Sequence, residues 1–418
     1  MAHSRLAFVL LAFLAAPGVL LAQGVPQGPE FRVNSYITGR QSFPVAAFDS
    51  AGNFVVLWES YGDGTGLGLG ISGQRYSGGG APQGGEFRVN SYITSTQRYP
   101  SVASDPAGNF VVAWQSFTQD GSGWGIFAQR YTSTGAPLGG EFRVNTHTLS
   151  EQWYPSMASD SAGNFVVTWS SRYQDGDFDG IFAQRYASNG APLGGEFRVN
   201  TYTTEAQKFS SVAVDSAGNF VVVWESFEPF PGGIFAQRYA NTGIPLGGEF
   251  RISSITITSA HHPWVASDSA GNFVVVWASH FLDGSGWGIF AQRIASNGTS
   301  LGGAFRVNSY TTSHQYFPSV ASDSAGNFVV AWDSITQDGS DWGAFAQRYA
   351  STGAPAGGEF QLNTYTTNDQ REPVVAADPA GNFVVVWQSY TQDGSSYGVF
   401  AQRYSMIVPV ELQSFRVE

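Results

Sequence analysis

The stretch Asp323-Ser324-Ala325-Gly326-Asn327-Phe328-Val329-Val330-Ala331-Trp332 makes one turn and then runs apolar on both sides. An aspartate ahead of Gly-Asn can bond its own backbone and tighten a turn. Successive side chains of a strand alternate, so Phe328, Val330 and Trp332 point one way and Val329 and Ala331 the other. A strand with two dry faces belongs in a sheet covered on both sides. The core of this phrase, Ala-Gly-Asn-Phe, recurs with its asparagine at 53, 109, 164, 219, 272, 327 and 382, at intervals of 56, 55, 55, 53, 55 and 55 residues. Such a period marks an array of supersecondary units.

One unit shows four short strands. In the second copy they are Tyr99 to Asp105 (a), Asn109 to Ser116 (b), Ile126 to Tyr131 (c) and Glu141 to Asn145 (d). β-branched and aromatic residues fill them, and Gly, Pro and Asp punctuate them. Solenoid coils need fewer residues per turn, and an immunoglobulin-like sandwich needs about twice as many. A four-stranded sheet stacked between copies of itself is a propeller blade. The expected fold is all-β: a seven-bladed β-propeller with four antiparallel strands per blade. Strand d first appears as Glu30-Phe31-Arg32-Val33-Asn34, ahead of the first a, whereas the last blade ends at Tyr404 without its own. The ring is therefore expected to close by the N-terminal strand pairing in the last blade, which removes exposed sheet edges. The competing segment is Leu412 to Glu418, which resembles an eighth d strand.

Composition narrows function. The chain has 418 residues, net charge −12 and only 12% charged residues. Its cations are 19 Arg and one Lys, and 13 of the Arg occupy two repeated framework positions. That distribution argues against nucleic acid and anionic membranes as partners. Residues 1–22 carry Arg5, an apolar core from Leu6 to Ala16 and a Pro17-Gly18 break, the pattern of a secretory signal. The expected organisation is a signal peptide (1–22), a propeller (23–404) and a tail (405–418), with no membrane span once the signal is removed, acting as a secreted or cell-surface monomeric ring. The absence of cysteine leaves neither disulfides nor thiolate metal sites.

The a-b-c-d order with an Asp-x-x-Gly-Asn turn resembles NHL-type and related propeller repeats. Asp323 to Phe328 and Phe345-Ala346-Gln347-Arg348-Tyr349 also look like the tandem repeats of uncharacterised secreted bacterial proteins. This resemblance spans Glu30 to Tyr404 and implies architecture, with almost nothing about activity. The Asp-x-x-Gly…Trp pattern is also similar to the Asp-box of sialidase propellers, but its spacing differs.

Residues present in every copy are expected to be scaffold. These are the seven strand-b tryptophans (Trp58, Trp114, Trp169, Trp224, Trp277, Trp332, Trp387), the turn aspartates led by Asp49, and the strand-c arginines led by Arg75. Pairing between those aspartates and arginines is expected, since an embedded guanidinium needs a partner. Function should lie where copies differ. The b–c loops carry Trp124, Trp287, Trp342 and Tyr397 at one equivalent position. The d–a loops carry Trp153 and the glutamines Gln97, Gln152, Gln315 and Gln370, with Gln41 and Gln207. Flat apolar faces beside amides suit sugar rings or a protein surface. The expected function is binding of carbohydrate or protein. The alternative is a glycan hydrolase or lyase acting at the channel mouth. Glu59, Glu225 and Asp333 follow core tryptophans, but their blades (one, four and six) are not adjacent, which argues against a carboxylate pair. No cofactor is expected. Calcium is the one candidate metal, at Asp175, Asp177 and Asp179, the densest acidic loop; five of the other six b–c loops carry a single Asp-Gly turn, as at Asp63.

Overall fold

The computed structural model describes residues 24–62, 68–227, 232–253, 259–280 and 282–405. The signal segment, Asp63 and the tail beyond Ser405 lie outside them. The described chain forms seven antiparallel sheets of at least four strands each. In the second blade, strand a is Gln97–Ser104, b is Phe110–Phe117, c is Trp124–Tyr131 and d is Phe142–Arg143. Strands a and c start two residues earlier than the sequence pattern suggests, so Gln97 and Trp124 sit in strands and not in loops. Among the described residues no helix is long and apolar enough to cross a membrane.

The ring closes as the repeat count requires. Phe31–Arg32 pairs with the last c strand, Phe31 opposite Ala401, and supplies the outer strand of blade seven. A further pair, Val25–Pro26, joins the same strand opposite Ser405 and Tyr404, giving this sheet five strands. Glutamates of the Glu-Phe-Arg-Val-Asn motif lock neighbouring blades. Glu30 Oε2 accepts from Thr364 N at 2.7 Å and Thr364 Oγ1 at 2.9 Å on one side of the seam. Glu86 Oε2 does the same for Ser35 on the other.

All seven strand-b tryptophans are completely buried. Each packs on the preceding blade: Trp114 lies with Val55, Leu57 and Ile71 of blade one, and Trp58 with Val384 and Val386 of blade seven. The core is thus seven inter-blade layers instead of one centre.

The expected Asp–Arg pairing is not the general rule. The turn aspartate bonds its own turn: Asp105 Oδ1 accepts from Asn109 N at 2.9 Å and Oδ2 from Asn109 Nδ2 at 2.8 Å. The arginines reach backbone carbonyls of the next blade instead, as Arg130 Nη1 does to Ser188 O at 2.7 Å. A guanidinium at the blade edge is half in solvent, so fixed carbonyl dipoles satisfy it without a carboxylate. At Arg348 burial disfavours the guanidinium charge, and the turn aspartate Asp323 opposes that effect.

Candidate functional site at the channel mouth

Strand a lines the central channel, and each strand a carries the same irregularity. Its register shifts after the second residue, as between Arg98 and Ser101. The third residue then takes a left-handed backbone: Phe43, Tyr99, Tyr154, Phe209, His262, Phe317 and Glu372 all have φ between 46° and 54°. For bulky residues that conformation is strained and persists only where surroundings over-determine it. Part of the compensation is visible. Side chains at the position after the core tryptophan bond the strained amide of the next blade: Glu59 Oε1 to Tyr99 N at 2.8 Å, Gln115 Oε1 to Tyr154 N at 3.0 Å and Gln388 Oε1 to Phe43 N at 3.1 Å.

The seven left-handed residues ring the channel. Adjacent ring centroids from Phe43 through Tyr99, Tyr154, Phe209 and His262 to Phe317 lie 4.7–5.0 Å apart. Glu372 occupies the seventh place. Beyond this ring the channel opens into a cavity of about 680 Å³ lined by proline, valine, alanine and serine of all seven strands.

Around the mouth, blades six, seven, one and two gather charge. Asp333 is fully buried and meets Arg371 Nε at 3.6 Å, while Arg98 meets Glu59 at 3.3 Å. Burial drives the Asp333 carboxyl up to about 7, against the pull of Arg371. Burial, then the Asp333 charge, drives Glu372 up to about 8, with Arg371 and Arg40 opposing. Glu59 is also raised by burial, less the effect of Arg98. These three acids belong to blades six, seven and one. Glu59 and Asp333 belong to blades that are not adjacent, but Glu372 of the blade between them feels the charge of both. Its glutamate at a position otherwise aromatic or imidazole was the available signal.

The predicted aromatic positions divide. Trp342 stacks against the Arg371 guanidinium, 4.5 Å from its carbon, and Tyr397 Oη donates to Asp369 at 3.1 Å with Arg40 5.5 Å from its ring. These two share one patch across blades six, seven and one. Trp287 is enclosed by His261, His280 and Tyr316 at 4.8–5.2 Å. Trp124 packs on Phe117, 5.1 Å away. Trp153 lies beside Tyr154 in the channel ring, at 6.1 Å.

The glutamines are inside the blades. Gln97, Gln152, Gln315 and Gln370 are completely buried. Each accepts from the strand-d asparagine, as Gln315 Oε1 does from Asn308 Nδ2 at 3.0 Å. The acidic loop disperses likewise. Asp175 accepts from Asn200 at 3.0 Å, Asp177 from Glu205 N at 3.0 Å, and Asp179 pairs with Lys208 at 3.2 Å. Among the described residues no group of three or more His, Asp or Glu is placed to hold a metal ion.

No protein-family model and no curated protein matches the chain. Solved structures do. An α-L-arabinanase of Penicillium chrysogenum, complexed with arabinobiose, aligns at TM-score 0.51 and 16% identity over 74% of this chain and 94% of that one. An α-L-arabinofuranosidase of Fusarium graminearum aligns at TM-score 0.51 and 12% identity over 91% and 98%. A fungal alcohol oxidase, in complex with copper, aligns at TM-score 0.52 and 12% identity over 92% and 76%. These likenesses establish a β-propeller built of repeats, and no particular repeat family within that class. One architecture carries quite different chemistries, so activity must be argued from the site.

Proposed function

We propose that this is an exported propeller that binds carbohydrate on the face bearing the channel mouth. The carrying observation is the patch formed by Trp342, Arg371, Asp369, Tyr397 and Arg40, which sets two half-buried aromatic rings beside a carboxylate and two guanidiniums. Sugar C–H faces pack on such rings, and hydroxyls bond to such charged edges. The glycan-directed names of two of the propellers it resembles agree with this reading. Binding to a glycan array is expected to fall at least about tenfold in Trp342→Ala and in Arg371→Ala, the loss of about 1.4 kcal/mol. Leu149→Ala, on an exposed loop elsewhere on the ring, should bind as the parent does. Unchanged binding in both patch variants would reject the proposal.

A second reading, hydrolysis or lysis of a glycan, has its own support. Asp333 and Glu372 are carboxyls raised into the range useful for general acid and base work. Polysaccharide turnover abolished by Glu372→Gln and Asp333→Asn, with glycan binding retained, would select it.

A further inference from the structure

The ring at the channel mouth is chemically unlike the patch beside it. Six of its seven members are aromatic or imidazole rings in unbroken contact. His262 among them is held neutral, its imidazole lowered to about 4 by burial and by His261. The seventh member is a carboxylic acid. Glu372 Oε2 is buried and has no hydrogen-bond partner. Its sequence neighbour Arg371 is engaged elsewhere, with Asp333 and the face of Trp342. A buried carboxyl oxygen left without a partner is costly, and a native structure retaining one calls for an explanation.

We propose that the channel mouth is a binding site for a small organic cation, an ammonium group held between the aromatic ring and the Glu372 carboxyl, which releases its proton to solvent as the cation enters. Cations are attracted to the faces of aromatic rings, and a carboxylate adds a charge partner. The neighbouring acids Asp333 and Glu59 disfavour an anion there. A sugar would find few hydrogen-bonding groups in the ring besides the phenols of Tyr99 and Tyr154. A hard metal ion requires about six oxygens, and this ring offers one carboxylate. The cavity of about 680 Å³ beyond it, walled by Pro44, Val45, Ala46 and their equivalents, accepts the apolar remainder of such a molecule. This site does not depend on glycan binding by the neighbouring patch.

The test is calorimetric titration of the purified protein at constant ionic strength with tetramethylammonium, choline and 3,3-dimethylbutan-1-ol, the uncharged isostere of choline. Both cations should bind, and the isostere should bind roughly tenfold more weakly or worse, on the scale of a desolvated cation–ring contact. Glu372→Gln should weaken choline by a similar factor and reduce the preference over the isostere to what the aromatic ring alone supplies. Phe317→Leu should weaken both cations and decides the matter if Glu372→Gln does not fold. Absence of binding by either cation, equal binding of the isostere, or unchanged choline affinity in a folded variant of either residue would each overturn the proposal.

Discussion

Arg403 Nη1 donates to Gly79 O at 2.6 Å and Nη2 to Gly78 O at 2.5 Å, joining the last blade to the first. Arg75 does the same toward Ser133, Arg185 toward Thr242 and Arg293 toward Thr352. The seam is therefore held by the same bond as the borders that follow blades one to five. Arg403→Met should lower unfolding free energy by about 1 kcal/mol, a modest hydrogen-bond contribution at a partly exposed edge. Arg130→Met should cost a similar amount. Urea denaturation of both variants checks this, and a much larger loss at the seam alone would show that closure relies on Arg403 specially.

Trp224 illustrates the layered core. It is fully buried among Val166, Ile181 and Ala183 of the preceding blade. Trp224→Ala should destabilise by about 3–5 kcal/mol through the cavity it leaves. Thermal and chemical unfolding should agree on that figure. A cost below about 1 kcal/mol would mean the blades do not depend on this packing.

Stability should depend on pH with a definite sign. Asp333 and Glu372 ionise near 3.8 and 4.5 when unfolded, but near about 7 and about 8 when folded. Across that interval the folded state holds protons that the unfolded state has released, so these groups make stability fall as pH rises. His262 works the other way between about 4 and 6.5, because its folded imidazole stays neutral while the unfolded one is charged. The two effects oppose each other below 6.5, and the carboxyls act without His262 above it. Unfolding free energy should therefore decline between pH 6.5 and 8, and the decline should shrink in Asp333→Asn and Glu372→Gln. A flat profile in the parent across that window would contradict the buried-acid account.

Added calcium should leave the melting temperature unchanged. Asp175, Asp177 and Asp179 already serve three separate partners, Asn200, Glu205 N and Lys208. A calcium ion needs several of them turned inward together. A rise of several degrees on adding millimolar calcium, reversed by chelator, would show that the loop rearranges to bind it.

The architecture was written in the repeat because each blade must bury the same face against its neighbour. Trp332 and its six counterparts, the Gly turns and the displaced strand Glu30 to Asn34 carried that information locally. The site was less legible. Gln315 varies little and sits at a loop boundary, which mimics a functional ring, yet its amide is spent on Asn308. Glu372 was hard to read for the opposite reason. Its departure from Phe43, Tyr99, Tyr154, Phe209, His262 and Phe317 at one repeated position is visible in the sequence, but that these side chains share one circle follows only from the strand-a bulge. Periodicity reports the faces of regular strands, and a bulge breaks the count. Arg371 and Trp342 are 29 positions apart in different blades, so their stacking had no local signature.

Because Phe31 and Val25 lie against Ala401 and Ser405, a strand made ahead of the first blade must wait for the c strand of the seventh. Six blades can assemble as they emerge, while the segment around Phe31 remains unpaired until the strand Tyr397–Ser405 has been made. Bringing together sites so distant along the chain slows maturation. A holdase guarding that waiting strand would speed acquisition of the finished ring without altering its final stability.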